Sequence, residues 1–415
     1  MEKQETKINQ DMMILAKDCY YSLDTHQTKL NNNVLVVGTS GSGKTRSIVT
    51  PNILQASGSY VISDPKGDLY QKYKGFLKEN GYIVKKIDFT DPKNSAHYNF
   101  FEYIHSPMDI VKIANSFVNQ KKGDRHMDPF WDQAAQLLIQ AIIAYIYELV
   151  PKKEQNLEGV IKMLMECKPR DSNSMIRLFQ LFQCCYLNNP DSFAFNCFTQ
   201  VSSATEKTMC SILITVFALF APFGTPEIFK MTAKDDIKME TIGQRKTALF
   251  IVVSDTDRSM DGLVNIFLTQ LMNTLCEYAD KKCKNNCLPV PVRFILDDFA
   301  TNCKIEEFPR IISSIRSRGI STMLMIQSEG QLREYYGDDS HTIISNCDTY
   351  VYLGGNDVAT ARAVSERCDQ PLKKILNMPV GTNWIFRRGQ VPINGTNFEI
   401  DDFIKEKMVE YELGG

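Results

Sequence analysis

The chain has 415 residues, of which 43% are hydrophobic and 23% are charged. That length is enough for two domains with an ample apolar core. The formal net charge of -2 excludes a strongly basic protein that coats nucleic acid, but it is compatible with a local basic channel.

Residues 1–32 form a polar leader of mixed charge, expected to pack on the surface, with a short strand or helix near 12–16. This composition is unlike that of a secretory signal or a membrane anchor. The longest apolar run, 137–150, is too short to cross about 30 Å of hydrocarbon and predicts a buried helix. The 12 cysteines are scattered, so reduced thiols in the cytosol are expected.

A glycine-rich loop follows the apolar run 34–37 and opens a helical pattern. It matches the P-loop motif G-x-x-x-x-G-K-[ST], with a predicted strand before it and a predicted helix after it. The nucleotide-binding residues that this motif predicts are Gly38, Thr39, Ser40, Gly41, Ser42, Gly43, Lys44, Thr45 and Arg46. Backbone N–H groups of such a loop cradle a triphosphate. Lys44 is expected to reach the β- and γ-phosphates and Thr45 to ligate Mg²⁺, so ATP and Mg²⁺ are the predicted cofactors.

Strands and helices alternate after the loop. A helix over 44–55, which Pro51 should kink or shorten, leads to a strand over 60–63 that ends in a turn at 64–68. That turn is either a ligand-binding strand end or a turn imposed by its proline and glycine. A helix over 69–79 and a strand over 82–87 complete a βαβαβ start, which implies a parallel sheet.

From residue 128 the pattern becomes helical, and no convincing strand occurs before 247. Such a block inside an α/β pattern indicates an inserted all-helical domain. The predicted domains are a leader at 1–32, a discontinuous nucleotide-binding domain at 33–127 and 235–405, an all-α domain at 128–234 and a tail at 406–415.

The α/β pattern resumes with strands near 247–253, 292–298, 321–326, 349–353 and 382–386. Helices are expected at 262–279, 306–318 and 357–367, followed by an acidic, frayed tail. The sheet should hold seven or eight strands. The sequence therefore predicts an α/β protein built on a parallel sheet.

Two carboxylates end the strand that begins at 292. In a P-loop enzyme Asp297 would hold the Mg²⁺ shell, and Asp298 would orient or deprotonate the attacking water. Asp298 stands where a glutamate is commoner and is shorter by about 1.5 Å. Either the backbone compensates for that difference or hydrolysis is slow.

Gln327 ends the next strand, where a polar side chain could sense the γ-phosphate or the attacking water, although a solvated glutamine is also common at such a position. Arginines near strand or helix ends could stabilise transition-state charge across a subunit boundary. Among Arg316, Arg318, Arg362 and Arg367, the first choice for this catalytic role is Arg318, just before Gly319.

Five blocks of sequence carry a resemblance to a known family. They are the P-loop, Val61-Ile62-Ser63-Asp64-Pro65-Lys66-Gly67-Asp68-Leu69, Asp128-Pro129-Phe130-Trp131, Ile295-Leu296-Asp297-Asp298-Phe299-Ala300 and Ile315-Arg316-Ser317-Arg318-Gly319-Ile320. Their order and spacing over 33–389 resemble the TraG-type coupling proteins of conjugative type IV secretion.

This resemblance implies a RecA-like P-loop NTPase motor domain interrupted by an all-α domain. It implies a hexameric ATPase that passes relaxase-bound DNA, expected to be single-stranded, to the secretion channel. The implied partners are DNA, relaxase or relaxosome proteins, channel subunits and further copies of the chain, at the cytoplasmic face of the bacterial cell membrane. It also makes the 64–68 turn a candidate element of the nucleotide site or the ring surface.

The sequence departs from the family pattern in two places. Family members usually carry transmembrane helices before the P-loop, so a soluble variant or a truncated form, with a separate membrane tether, is expected here. The pair Asp297 and Asp298 replaces the usual Asp-Glu pair.

Two functions from different classes remain open at this point. The leading one is an ATP-driven DNA translocase, whose DNA binding should depend strongly on salt. Its basic clusters are small, namely Lys121, Lys122 and Arg125, then Arg316 and Arg318, then Arg387 and Arg388. The alternative is a nucleotide-switched docking receptor for protein substrates with little ATPase activity.

Overall fold

The computed structural model describes residues 10–119, 129–167, 172–299 and 304–412. The chain forms two compact units. The first comprises Met1–Lys86, Met239–Asp255 and Met272–Gly415, and the second comprises Ile87–Lys238 and Thr256–Leu271. These limits differ from the predicted domain boundaries, because the second unit starts well before residue 128 and also includes 256–271.

An aromatic cluster explains the larger second unit. The ring centroid of Phe267 lies 4.8 Å from that of Tyr98 and 5.9 Å from that of Phe89. The Tyr98 hydroxyl also donates a hydrogen bond to Gln270 over 2.6 Å. Phe89 and Tyr98 precede the helical block in sequence, and they contact a helix that follows it. No local sequence pattern predicts such long-range contacts.

The described residues contain two sheets. Their strands are β1 (Met12–Ala16), β2 (Cys19–Ser22), β3 (Val34–Val37), β4 (Ser59–Ser63), β5 (Ile83–Asp88), β6 (Thr247–Val252), β7 (Val292–Leu296), β8 (Ile320–Ile326), β9 (Thr349–Tyr352), β10 (Thr382–Arg387) and β11 (Ile393–Thr396). β1 and β2 form an antiparallel hairpin, and the other nine strands form one sheet in the order β11-β10-β9-β3-β8-β7-β4-β6-β5.

The centre of the large sheet is parallel, as predicted, from β9 through β3, β8, β7 and β4 to β6. The carboxyl ends of these strands therefore meet at one edge, where ligands bind in such sheets. At one side β10 pairs antiparallel with both β9 and β11. The predicted count of seven or eight strands was wrong because β11 is a mostly exposed edge strand with a single apolar residue, Ile393.

The first unit carries helices at Thr25–Thr28, Thr50–Leu54, Asp68–Glu79, Phe308–Ile311, Glu329–Tyr336, Ser340–Ser345, Val358–Cys368, Leu372–Leu376 and Ile400–Glu412. The helix after the P-loop begins as a π turn at Thr45–Val49 and continues as an α-helix past Pro51. The wider π turn lets the chain continue through a proline, which lacks the N–H for a normal α-helical bond.

The predicted helix over 306–318 was wrong. The structure has a short α-helix at Phe308–Ile311 and a separate 3-10 turn at Ile315–Arg318. Ser313 and Ser314 lie between them, and each hydroxyl donates to the carbonyl three residues earlier, over 2.7 and 3.0 Å. Such local bonds compete with the regular helical pattern.

The strand expected near 12–16 is present, and both it and the segment around 398–403 pack into the core. β1 lies in the main core, with Met13, Ile14 and Leu15 at most 1% exposed, rather than on the surface. The C-terminal segment forms the helix Ile400–Glu412, and Phe398 and Phe403 pack into the same core. Removing these apolar side chains from water stabilises both segments against the body of the unit.

The second unit is built from the helices Pro107–Asn119, Pro129–Leu149, Leu157–Glu166, Ser172–Asn188, Phe193–Ser202, Glu206–Phe220 and Pro226–Thr232, together with the start of Asp261–Lys282. Stacked rings of Phe182 and Phe198, 4.1 Å apart, form part of its core. Among the described residues one segment, Glu206–Phe223, is long and apolar enough by composition to cross a membrane, a test that core helices of other proteins also pass.

Candidate nucleotide-binding site

The glycine-rich loop lies at the carboxyl edge of the sheet, directly after β3. Gly41 and Gly43 have φ angles of +78° and +92°, a region that residues with a Cβ rarely adopt. A Cβ on Gly38 would lie 2.5 Å from the Ser42 hydroxyl. The loop conformation therefore requires the glycines that define the motif.

Lys44 is buried against this loop, with 8% of its surface exposed. Its ammonium donates to the backbone carbonyls of Gly38 over 2.6 Å and Thr39 over 3.2 Å. Burial lowers the pKa of Lys44, while Asp297 and Asp298 act in the opposite direction. The cation is thus held within the concave face where a phosphate chain would lie.

The loop also contains a buried polar atom without a partner. The Ser42 hydroxyl oxygen is inaccessible to solvent and forms no hydrogen bond. Buried hydroxyls are normally hydrogen-bonded. A Ser42 hydroxyl without a partner therefore fits a loop in which a ligand oxygen supplies the missing hydrogen bond.

Thr45 and Asp297 meet across the sheet, although their strands are separated by β8. The Thr45 hydroxyl donates to the Asp297 carboxylate over 2.8 Å, and the Ser63 hydroxyl donates to the Asp297 backbone carbonyl over 3.0 Å. A hydroxyl and a carboxylate this close can share one Mg²⁺, which usually takes few protein ligands and completes its shell with water and phosphate oxygens. No cluster of three or more His, Cys, Asp or Glu suited to a metal occurs in the described residues.

Asp298 follows in an unusual backbone conformation, with φ of +49°. Aspartate tolerates this left-handed region better than most residues with a longer side chain. Burial, and next the neighbouring Asp297, raise the pKa of Asp298, whereas Lys44 and a side-chain hydrogen bond with Gln327 lower it. Asp298 and Gln327, which the sequence placed on different strands, are therefore in contact.

Asp255 is a charged neighbour of this pair that the sequence reasoning did not single out. It follows β6 and adds a small further increase to the pKa of Asp298. Its position shortly after a buried parallel strand was the available signal, because such strand ends meet at one edge.

In the 64–68 turn, the Asp64 carboxylate stabilises the start of the following helix. Asp64 is 2% exposed and accepts a hydrogen bond from the Tyr70 backbone N–H over 2.8 Å. Burial raises the pKa of Asp64 despite this bond. The carboxylate thus satisfies an N–H in the first turn of the helix Asp68–Glu79, whose N-cap residue is Gly67.

Arg46 points to the C-terminal helix. It forms an ion pair with Asp401 over 2.6 Å, and both side chains are about 70% exposed, at 69% and 70%. A second C-terminal residue, Asn397, donates from its side-chain amide to the Ser42 carbonyl over 3.2 Å. Neither partner was predicted, because the C-terminal segment lacked any recognised motif.

The structure does not bring Arg318 to the site of its own subunit. Arg318 precedes β8 and so lies at the opposite edge of the sheet from the P-loop. Its guanidinium makes two bonds to Asp280, over 2.9 and 2.8 Å, and these raise the pKa of Arg318. A role in a neighbouring subunit stays a prediction.

Three other candidate basic groups are engaged within the chain. Arg316 donates to the Thr25 carbonyl over 2.9 Å, Arg388 pairs with Asp348 over 2.9 Å, and Arg387 stacks on the Tyr21 ring at 3.9 Å. The cluster Lys121, Lys122 and Arg125, like Asp128 and Ala300 of the sequence blocks, lies outside the described residues.

Residues 1–370 match the family model described as type IV secretory system conjugative DNA transfer. The chain is 20% identical over 371 residues to a type IV secretion system-coupling protein VirD4 of Bartonella henselae, covering 86% of this chain and 55% of that protein. It is 23% identical over 355 residues to a conjugal transfer protein TraG of Escherichia coli, covering 80% and 54%. The chain thus spans about half the length of the curated relatives it matches.

Among solved structures, the chain resembles the plasmid coupling protein TrwB in complex with ADP and Mg²⁺. The TM-score is 0.68 at 17% sequence identity, over 94% of this chain and 89% of that one. This likeness confirms the predicted fold class, a RecA-like α/β fold with an all-α domain.

Proposed function

Because the chain belongs to the type IV secretory system conjugative DNA transfer family, we propose that it is an ATPase that couples nucleotide hydrolysis to the delivery of DNA or protein to a secretion channel. The observation that carries this proposal is the contact between Thr45 and Asp297, made beside the buried ammonium of Lys44. It joins the two motifs that such ATPases use to hold Mg²⁺ and the triphosphate.

Each side chain of the site has a distinct task in this proposal. Lys44 binds the β- and γ-phosphates, and Thr45 with Asp297 would hold Mg²⁺, which neutralises charge on the phosphates when bound. Asp298 accepts a proton from the attacking water. Its raised pKa and its bond with Gln327 suit a base whose partner orients the same water.

The family supports DNA and secretion-system proteins as the general classes of partner. We propose that the chain acts on single-stranded DNA carried by a relaxase, as a hexamer docked on channel subunits at the cytoplasmic face of the cell envelope, with a membrane tether within the same protein or supplied separately. Helices inside 128–234 are proposed to form the inserted all-α domain that faces the substrate. Support comes from the relatives named as coupling and conjugal transfer proteins.

One observation favours the alternative of a nucleotide-switched docking receptor. The described candidates for DNA contact all bind groups of their own chain, and the net charge is only -2; these candidates are Arg316, Arg318, Arg387 and Arg388. A receptor of this type would bind nucleotide tightly and turn it over slowly whether or not DNA is present.

Arg318→Ala tests whether the active site is shared between subunits. If Arg318 completes the site of a neighbour, the variant should lose about a thousandfold in kcat, the lower end of what such arginines contribute. The steady-state rate of ATP hydrolysis at saturating ATP is the measurement.

Two controls separate this role from a bond within the subunit. Asp280→Ala removes the partner that holds Arg318 in its own chain and should leave kcat within about twofold of the unaltered chain. An equimolar mixture of Arg318→Ala and Lys44→Ala subunits should regain activity. If Arg318→Ala and Asp280→Ala lower kcat equally and the mixture does not regain activity, Arg318 only stabilises its own subunit through the bond to Asp280.

A further inference from the structure

We propose that Asn397 is a positioning residue of the nucleotide site, which fixes the peptide between Ser42 and Gly43 so that its N–H points into the phosphate cradle. The inference rests on the proposed function, since it assumes that the loop binds a nucleotide. Asn397 also lies beyond the residues 1–370 that match the family model.

The side-chain amide of Asn397 is oriented by bonds at both ends. Its Nδ2 donates to the Ser42 carbonyl over 3.2 Å, and its Oδ1 accepts from Asn383 Nδ2 over 3.1 Å. The Asn397 backbone N–H donates to the Gly381 carbonyl over 2.8 Å. The Ser42 carbonyl can only accept, so it fixes which end of the Asn397 amide faces the loop, and Asn383, completely buried in β10, donates to the other end.

The bond to Ser42 determines the direction of the next N–H. In a planar trans peptide the C=O and the following N–H point in opposite directions. Holding the Ser42 carbonyl on the Asn397 side therefore turns the Gly43 N–H to the opposite side. Donors aimed into such a loop supply much of its affinity for phosphate.

This peptide needs an external restraint because one of the two torsions about which it rotates belongs to a glycine. Rotation of the Ser42–Gly43 peptide changes ψ of Ser42 and φ of Gly43, and Gly43 has a positive φ and no side chain to limit the rotation, so the peptide could flip at a low energetic cost. The Asn397 side-chain amide, which supplies this restraint, lies close to the loop, since a Cβ built on Gly43 would lie 3.3 Å from Asn397 Nδ2. A flip would place a carbonyl oxygen against the phosphates.

The segment that carries Asn397 is packed into the hydrophobic core. Phe398 and Ile400, which follow Asn397, are buried with residues of the first strand, and Phe398 packs edge-on against Phe403 at 5.4 Å. The C-terminal segment thus holds Asn397 at a fixed distance from the loop instead of fraying in solvent.

Asn397→Asp tests the inference with almost no change in shape. The carboxylate keeps its bond from Asn383, loses the bond to Ser42 and places negative charge beside the carbonyl and the phosphates. The dissociation constant of MgADP, measured by calorimetry on the whole chain, should rise at least about tenfold, equivalent to 1.4 kcal/mol. KM for ATP should rise similarly, whereas kcat should change much less.

The matched control is Asn394→Asp, the same substitution at an exposed position of β11 three residues earlier. It should leave the dissociation constant unchanged. Asn397→Ala, which removes the bond without adding charge, should give a smaller increase than Asn397→Asp, and it carries the test if the aspartate variant does not fold. A merely structural role would lower the unfolding temperature of both Asn397 variants without changing MgADP affinity, and this result would overturn the inference.

The unaltered chain distinguishes failure of this inference from failure of the proposed function. If it does not bind MgADP, the nucleotide site itself is wrong. If it binds MgADP and Asn397→Asp binds equally well, the site stands and the positioning role of Asn397 is refuted.

Discussion

Lys44→Ala should abolish ATP hydrolysis and weaken MgADP binding by about a hundredfold, since a charged hydrogen bond to phosphate contributes up to about 3 kcal/mol. The ammonium lies inside the loop, bonded to the Gly38 and Thr39 carbonyls. A phosphate exchanges those neutral partners for an anion, which the alanine variant cannot reproduce. Calorimetry with MgADP and steady-state hydrolysis measure the two losses.

Lys78→Ala is the matched control, because Lys78 is an exposed lysine on the helix Asp68–Glu79 of the same unit. It should bind and hydrolyse nucleotide as the unaltered chain does. Retained MgADP affinity in Lys44→Ala would contradict the assignment of the glycine-rich loop as the phosphate site.

Asp298→Asn should lower kcat by about two to four orders of magnitude, the range for loss of a general base, while MgADP binding is retained. The amide has nearly the same shape as the carboxylate but cannot accept the proton of the attacking water. A normal rate in this variant would exclude Asp298 as the base.

The same substitution should stabilise the nucleotide-free protein at pH 7. Burial raises the pKa of Asp298 above its ordinary value of 3.8, so its charged form is disfavoured in the folded state. The unfolding temperature of Asp298→Asn should therefore exceed that of the unaltered chain at neutral pH. This difference should shrink as the pH falls through the raised pKa and vanish below 3.8, where the carboxyl is protonated both folded and unfolded.

Asp298→Glu distinguishes the two explanations for the short carboxylate. The left-handed backbone at Asp298 and its bond with Gln327 support compensation by the backbone. The longer glutamate should then be misplaced and lower kcat. A faster rate would instead mean that the aspartate limits hydrolysis.

The sequence predicted most of the parallel sheet because its central strands are short apolar runs between helical patterns, a local signal that survives in the fold. The P-loop and the Asp297 pair were predictable for the same reason. Each is a contiguous motif whose chemistry requires those residue types.

The contacts between distant segments were not predictable from local patterns. The segment that contains Asn397 and Asp401 carried no recognised motif, since its anchoring residues are few and lack a long helical repeat. The helix predicted over 306–318 failed because serine hydroxyls competed for its backbone carbonyls. The extent of the second unit depends on aromatic contacts of Phe267 with residues far from it in sequence.

Steady-state ATP hydrolysis as a function of protein concentration, with and without single- and double-stranded DNA, tests the proposed function most directly. For a ring-assembled ATPase that acts on DNA, the specific activity should climb steeply with protein concentration, rise further with DNA and vanish in Lys44→Ala. Tight MgADP binding combined with background turnover under every condition would contradict it and favour the docking receptor.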